Sequence, residues 1–200
     1  MNSMRSGLTV AAVVLGTMTA WAGIKTAGNS GSAVSGTAGY AITVPSGDRW
    51  QDKSDANGAF YENRYSYAAF YRAGFSAAPA PAFSSRNDFL AYVKQAVAKN
   101  SDTSGYQTVR DSFTEKEQDG LWVVDCSLNR DEWELANDKW VAANAHDSAV
   151  TRIRTRYALD PLEPGRVIVA WYAWHGVNYD ERRFESEAAT LLNSLHKTSQ

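Results

Sequence analysis

Arg152, Arg154 and Arg156 alternate with Ile153 and Thr155, so a strand here projects three guanidiniums from one face and Thr151, Ile153, Thr155 and Tyr157 from the other. Each guanidinium is a planar fork of donors that matches carboxylate, phosphate or sulfate, and three in a row could grip an anionic ligand. The same row on an outward edge strand would instead discourage edge-to-edge aggregation. Nearby, the run RVIVAWYAWHG carries Trp171 and ends at His175 and Gly176. Trp171 and Trp174 point to opposite faces of such a strand, so at most one of them belongs to a site. The candidate ligand-binding set is therefore Arg152, Arg154, Arg156, Trp171 and His175.

Covalent chemistry has weaker footing. The chain has one cysteine, Cys126, so no intrachain disulfide can form. A reactive thiolate needs a neighbouring base or positive charge and some exposure. Cys126 shares its strand face with Trp122, Val124 and Leu128, which reads as a small buried hydrophobe. His175 or His146, with nearby carboxylates, offers the alternative of a hydrolase-type enzyme. No histidine pair has the helical spacing of a zinc site and no serine sits in a Gly-x-Ser-x-Gly elbow, so the motifs assign no catalytic residue, metal or cofactor. A third possibility is a neutral-glycan binding module stacking sugars on exposed rings, with Trp50 beside Arg49, or Trp133 with Trp140, as candidates.

These residues must be positioned by the elements around them. Tyr40, Ile42 and Val44 alternate before the turn Pro45-Ser46-Gly47-Asp48. Residues 59–64 and 67–72 predict aromatic strands, and the prolines of 76–83 predict a surface connection. Ser85 to Asp88 predicts a helix start, with Phe89, Leu90, Val93 and Val97 on one stripe ending near Asn100. Residues 106–113 and 121–128 predict a strand pair. Trp133, Ala136, Trp140 and Ala143 fit a helix over 131–143, the favoured reading, while Trp133 and Leu135 could also continue the preceding strand. Strands 150–159 and 166–175 predict a hairpin around Asp160-Pro161-Leu162-Glu163-Pro164-Gly165. A last helix begins near 178–181 and carries Phe184, Ala188, Leu191, Leu192 and Leu195, with Arg183 and Glu187 one turn apart on its wet side. Both faces of strand 166–175 are apolar, which predicts a central strand in a sheet covered on each side, with three helices available to supply at least part of that cover.

The ends and totals bound the setting. Arg5, the apolar run from Leu8 to Met18, and Ala20-Trp21-Ala22 have the layout of a secretory signal over residues 1–22. Residues 23–39, mostly Gly, Ser, Thr, Ala and Asn, predict a flexible leader. A single domain over 40–197 follows, with no transmembrane segment after signal cleavage. The expected location is periplasmic or secreted. A net charge of −2 provides no electrostatic case for nucleic acid.

The order of pieces "YAITVPSGDRW", "SRNDFLAYVKQAV", "YQTVRDSF", "GLWVVDCSL", a long hairpin and "DERRFESEAATLLNSL" resembles the PsbP-like superfamily over residues 40–195. The resemblance implies an α+β fold, an antiparallel β-sheet sandwiched by helices, and accessory or binding roles more often than enzymatic ones. The chain departs from the lipoprotein members of that superfamily in lacking a lipid-attachment cysteine. The expected function is an exported, non-enzymatic accessory protein of the bacterial cell envelope that binds an envelope protein or an anionic ligand. Exchange of the three arginines for Ser is expected to weaken binding and leave the fold intact.

Overall fold

The structure, a computed structural model, describes residues 24–26, 34–37, 39–44, 49–55, 58–66, 69–101, 106–136, 139–142, 150–176 and 179–198. Residues 1–22, expected to be a signal, residues 45–48, expected to turn, and His146 lie outside them. In chain order the first strands are β1 (Ile24–Thr26), β2 (Val34–Thr37), β3 (Tyr40–Thr43), β4 (Trp50–Asp52), β5 (Ala59–Ser66) and β6 (Ala69–Pro79). The helix α1 (Arg86–Asn100) leads into β7 (Tyr106–Gln118), β8 (Leu121–Ala136), β9 (Lys139–Ala142), β10 (Val150–Leu159) and β11 (Arg166–Gly176). The helix α2 (Glu181–Asn193) and the short β12 (His196–Lys197) complete the described chain. The architecture is α+β and mostly antiparallel sheet.

Among the described residues the main sheet has eight strands, in the order β4-β5-β6-β11-β10-β8-β7, with β9 paired to β8. As the two apolar faces of its sequence require, β11 lies inside the sheet between β6 and β10. Ile168, Ala170, Tyr172 and Trp174 enter one buried cluster with Phe184, Ala188, Leu191 and Leu192 of α2. Val167 and Val169 enter another with Phe89, Val93 and Val97 of α1. The alternation of β11 therefore feeds two cores at once. Both helices start where a side chain can satisfy an exposed N–H: Ser85 accepts from Asp88 and Asp180 accepts from Arg183. Among the described residues, no helix is long and apolar enough to cross a membrane.

A smaller sheet runs β1-β2-β3-β12. Its strand β3 sends Tyr40 and Ile42 into the cluster beneath α2, joined there by Val44. Within the stretch expected to be a flexible leader, β1 and β2 are paired strands, because ladder hydrogen bonds need no apolar side chains.

Three expectations are corrected. No helix spans 131–143: β8 continues without a break to Ala136 and β9 folds back on it, pairing Trp133 with Ala142 and Ala136 with Lys139. The first part of that segment already has partners on both sides, Arg130 with Thr151 and Val109, and Asp131 with Val150 and Thr108, so cross-strand pairing overrides the helical spacing. The prolines of 76–83 do not end the preceding strand at once, because β6 reaches Pro79, which stands opposite Arg166 of β11. Finally, the arginine strand is not an edge: β10 is paired on one side to β8 and on the other to β11.

Candidate ligand-binding site

The three arginines share the α2 face of β10, as their spacing predicts, but their donors are engaged within the fold. Arg152 pairs with Asp131 at 2.6 Å and donates to the carbonyls of Arg130 and Thr151. Arg154 forks onto Glu185 of α2 and also reaches the Asn129 side chain at 3.1 Å. Arg156 is forked onto Asp125 at 2.6 and 2.9 Å and donates to the Leu192 carbonyl at 2.6 Å. Asp125 is also paired with Lys116 at 2.8 Å. Burial pushes the Asp125 carboxyl up, but Arg156 and Lys116 outweigh burial and hold it below the usual carboxylate range. The row is an ionic fastening between α2 and the sheet.

Trp171 and His175 lie on the opposite face, and the fold joins them through residues that sequence spacing alone does not single out. The register sets Gly74 opposite Trp171, Arg72 opposite Ala173, and Phe70 opposite His175. On the next strand Phe60, Glu62 and Arg64 stand opposite Gly74, Arg72 and Phe70. Gly74 leaves space for the Trp171 indole, which lies so close that a Cβ there would sit 2.2 Å from its Cε2. Trp171 in turn meets Phe60 at 5.9 Å between ring centroids.

The Arg72 guanidinium lies 4.0 Å from the Phe70 ring centroid and 5.8 Å from that of Phe60, within cation–π range of both. Phe70 stacks against His175 at 5.1 Å, and His175 Nδ1 is 2.9 Å from the Thr151 hydroxyl. Glu62 holds Arg72 at 2.8 Å and Arg64 at 3.1 Å. The result is a continuous strip, Trp171, Phe60, Arg72, Phe70 and His175, with Glu62 and Arg64 along its side.

Exposure varies along the strip. Phe70 is buried, Trp171, Phe60 and His175 are partly buried, and the Arg64 side chain is 44% exposed. Burial pushes Glu62 up, yet the hydrogen bonds from Arg64 and Arg72 prevail and hold its carboxyl below the usual range. Burial, then the nearby Arg72 charge, lowers His175 from its ordinary value, so the imidazole is neutral at pH 7. The strip therefore combines aromatic faces with two cations that share one carboxylate.

Cys126 is buried, and burial pushes its thiol up to about 12, so little thiolate exists near neutrality. Among the described residues, no group of three or more His, Cys, Asp and Glu side chains is arranged to hold a metal ion. The third histidine, His196, is exposed and contacts the Ser194 carbonyl through Nδ1.

Sequence reasoning missed Phe60, Glu62, Arg64, Phe70 and Arg72. The available signal was the i, i+2 spacing of Glu62 with Arg64 and of Phe70 with Arg72, which places each pair on one strand face. Which face, and against which neighbour, depends on the register between β5, β6 and β11. No protein-family model matches the chain, and no curated protein matches it at a significant level.

Proposed function

We propose that this chain is an exported accessory protein of the bacterial cell envelope that binds an anionic ligand without a covalent step. In this reading the domain follows the PsbP-like layout, a sheet sandwiched by helices, and residues 1–22 direct it to the periplasm or the exterior. The observation that carries the binding role is Arg72 held between Phe60 and Phe70, with Glu62 shared between it and the exposed Arg64. An incoming carboxylate, phosphate or sulfate competes with Glu62 for Arg64, while the rings pack against the body of the ligand. Arg152, Arg154 and Arg156 act behind this surface, keeping α2 on the sheet.

A melting-temperature scan of the purified chain against phosphate, sulfate, anionic glycans and neutral glycans tests the reading. A ligand held at about 100 times its dissociation constant adds roughly 2.7 kcal/mol to stability. The expected result is a shift with anionic ligands that fades in salt and is lost in Arg64→Ala. A flat response to every anion refutes the proposal. Export is tested separately by sequencing the N-terminus of the protein recovered outside the cytoplasm, where a start at Gly23 is expected.

A further inference from the structure

On the face of the main sheet that carries the strip, one row of side chains crosses from strand to strand: Glu62, Arg72, Ala173, Ile153, Leu128 and Asp111. The helix α1 packs on another part of this face, against Val124, Cys126, Tyr157, Val167 and Val169. Ile153 enters neither buried core and is only partly buried, although its strand lies inside the sheet. Leu128, opposite it, and Trp171, diagonal to it, are also partly buried. Val109, 42% exposed and diagonal to Leu128, carries the apolar surface onto β7. Contiguous apolar surface rimmed by polar groups marks a place where something binds. The two ends of this track differ in charge. At the β7 end Asp111 is forked by Arg130, one anion for one cation. At the β5 end Glu62 serves both Arg64 and Arg72, one anion for two cations. The side chains of Arg64, Arg72 and Glu62 are 44%, 17% and 12% exposed, so a ligand group can reach that end.

We propose that the anion bound beside Arg64 and Arg72 is the head of an amphipathic molecule, a fatty-acid-type carboxylate whose alkyl chain lies across Trp171, Ile153 and Leu128. This rests on the anion-binding role proposed above and names its ligand class. Three strand spacings separate β6 from β8, about 14 Å, which is room for an extended alkyl chain of medium length. The carboxylate supplies a second anion where two guanidiniums share one, and the chain covers apolar surface that is otherwise wet. The reverse orientation is disfavoured, because a carboxylate at the β7 end meets Asp111, whose partner Arg130 is already engaged. An inorganic anion satisfies the charged end alone, and a neutral apolar molecule satisfies the floor alone.

Isothermal titration of the full chain with sulfate, acetate, octanoate and dodecanoate tests the assignment. Affinity is expected to rise along the carboxylates by roughly fourfold for each methylene that leaves water, so that dodecanoate exceeds acetate by about a hundredfold or more. Ile153→Thr should weaken dodecanoate about tenfold and leave sulfate unchanged, whereas Arg64→Ala should weaken both about tenfold or more. Sulfate binding with equal affinities for acetate and dodecanoate overturns the inference and leaves the anion-binding role standing. Silence toward sulfate and every carboxylate refutes both. Dodecanoate affinity undiminished in Ile153→Thr puts the chain elsewhere and overturns the inference as well. Should Ile153→Thr not fold, Arg64→Ala decides: retained dodecanoate affinity sinks the site, and lost affinity supports it.

Discussion

The Arg156 guanidinium donates to the Leu192 carbonyl at 2.6 Å while both of its other arms engage Asp125. The last carbonyls of a helix have no partner within it, and positive charge there is favourable. The last turn of α2 contains no basic residue, so a strand supplies the charge that the helix sequence lacks. Removing one partner of a buried ion pair strands the other. Arg156→Ala is therefore expected to cost about 3 kcal/mol, read from the denaturant midpoint. The triple exchange of Arg152, Arg154 and Arg156 for Ser should release α2 and lower helical circular dichroism, the opposite of the intact fold expected from the sequence.

Acid should find the same fastening. Asp125 and Glu62 are both depressed, so the folded state binds their protons less tightly than the unfolded chain does. The stability they contribute is fully present above their unfolded values of about 4 and is lost as pH falls through that point toward the folded values. Melting temperature followed downward from neutrality should begin to drop near pH 4. Asp125→Asn should be less stable at neutral pH and show a shallower acid slope, and an unchanged slope would remove Asp125 from the explanation.

His175 predicts a second pH window with a different sign for binding. Its folded value is lowered, so protonation disfavours the free folded protein as pH falls below about 6.5. A bound anion favours the imidazolium, so affinity for sulfate, whose own charge is constant over this range, should rise over that same descent while the stability of the free protein falls. His175→Gln should flatten both curves. Calorimetric titrations above and below the window check this, and pH-independent affinity in the unmodified protein would exclude His175 from the site.

Gly74→Ala tests the placement of Trp171. In a strand this change is ordinarily mild or favourable, because alanine restricts the unfolded chain. Here the added Cβ would stand 2.2 Å from the indole, and the ring must leave its seat between β6 and Phe60. A loss of about 1–3 kcal/mol is expected, with a red shift of tryptophan emission. Wild-type stability and emission would mean that Trp171 rests elsewhere.

Cys126→Ala should cost about 1 kcal/mol, the scale of one deleted methyl-sized group in a core, and leave ligand binding unchanged. The intact thiol should react with alkylating reagents only as fast as the protein opens, given its burial and raised pKa. Rapid alkylation under native conditions would contradict this.

Much of the fold was legible because the decisive patterns were local. The alternation of Val167, Ile168, Val169 and Ala170 placed β11 inside a covered sheet, and the stripe from Phe184 to Leu192 located α2, since periods of two and 3.6 are printed in neighbouring residues. The segment 131–143 failed because the spacing of Trp133, Ala136 and Trp140 satisfies a helix. Pairing along β8 decided otherwise through partners far along the chain, Tyr106, Thr108 and Val150. The alternation of Trp133 and Leu135, which also continues a strand, was the local signal for that outcome.

By itself the sequence determined which residues share a strand face: the three arginines on one side of β10, Trp171 and Trp174 on opposite sides of β11, and Cys126 among apolar neighbours. Tertiary structure alone decided what those faces meet. It brought Asp125, Asp131 and Glu185 to the arginines, turning a candidate anion grip into a fastening, and it brought Arg72, from a strand about a hundred residues away in sequence, between Trp171 and His175. Side-chain direction follows from the backbone period at each residue, whereas a neighbour across a sheet is set by register, and register is a property of the assembled core.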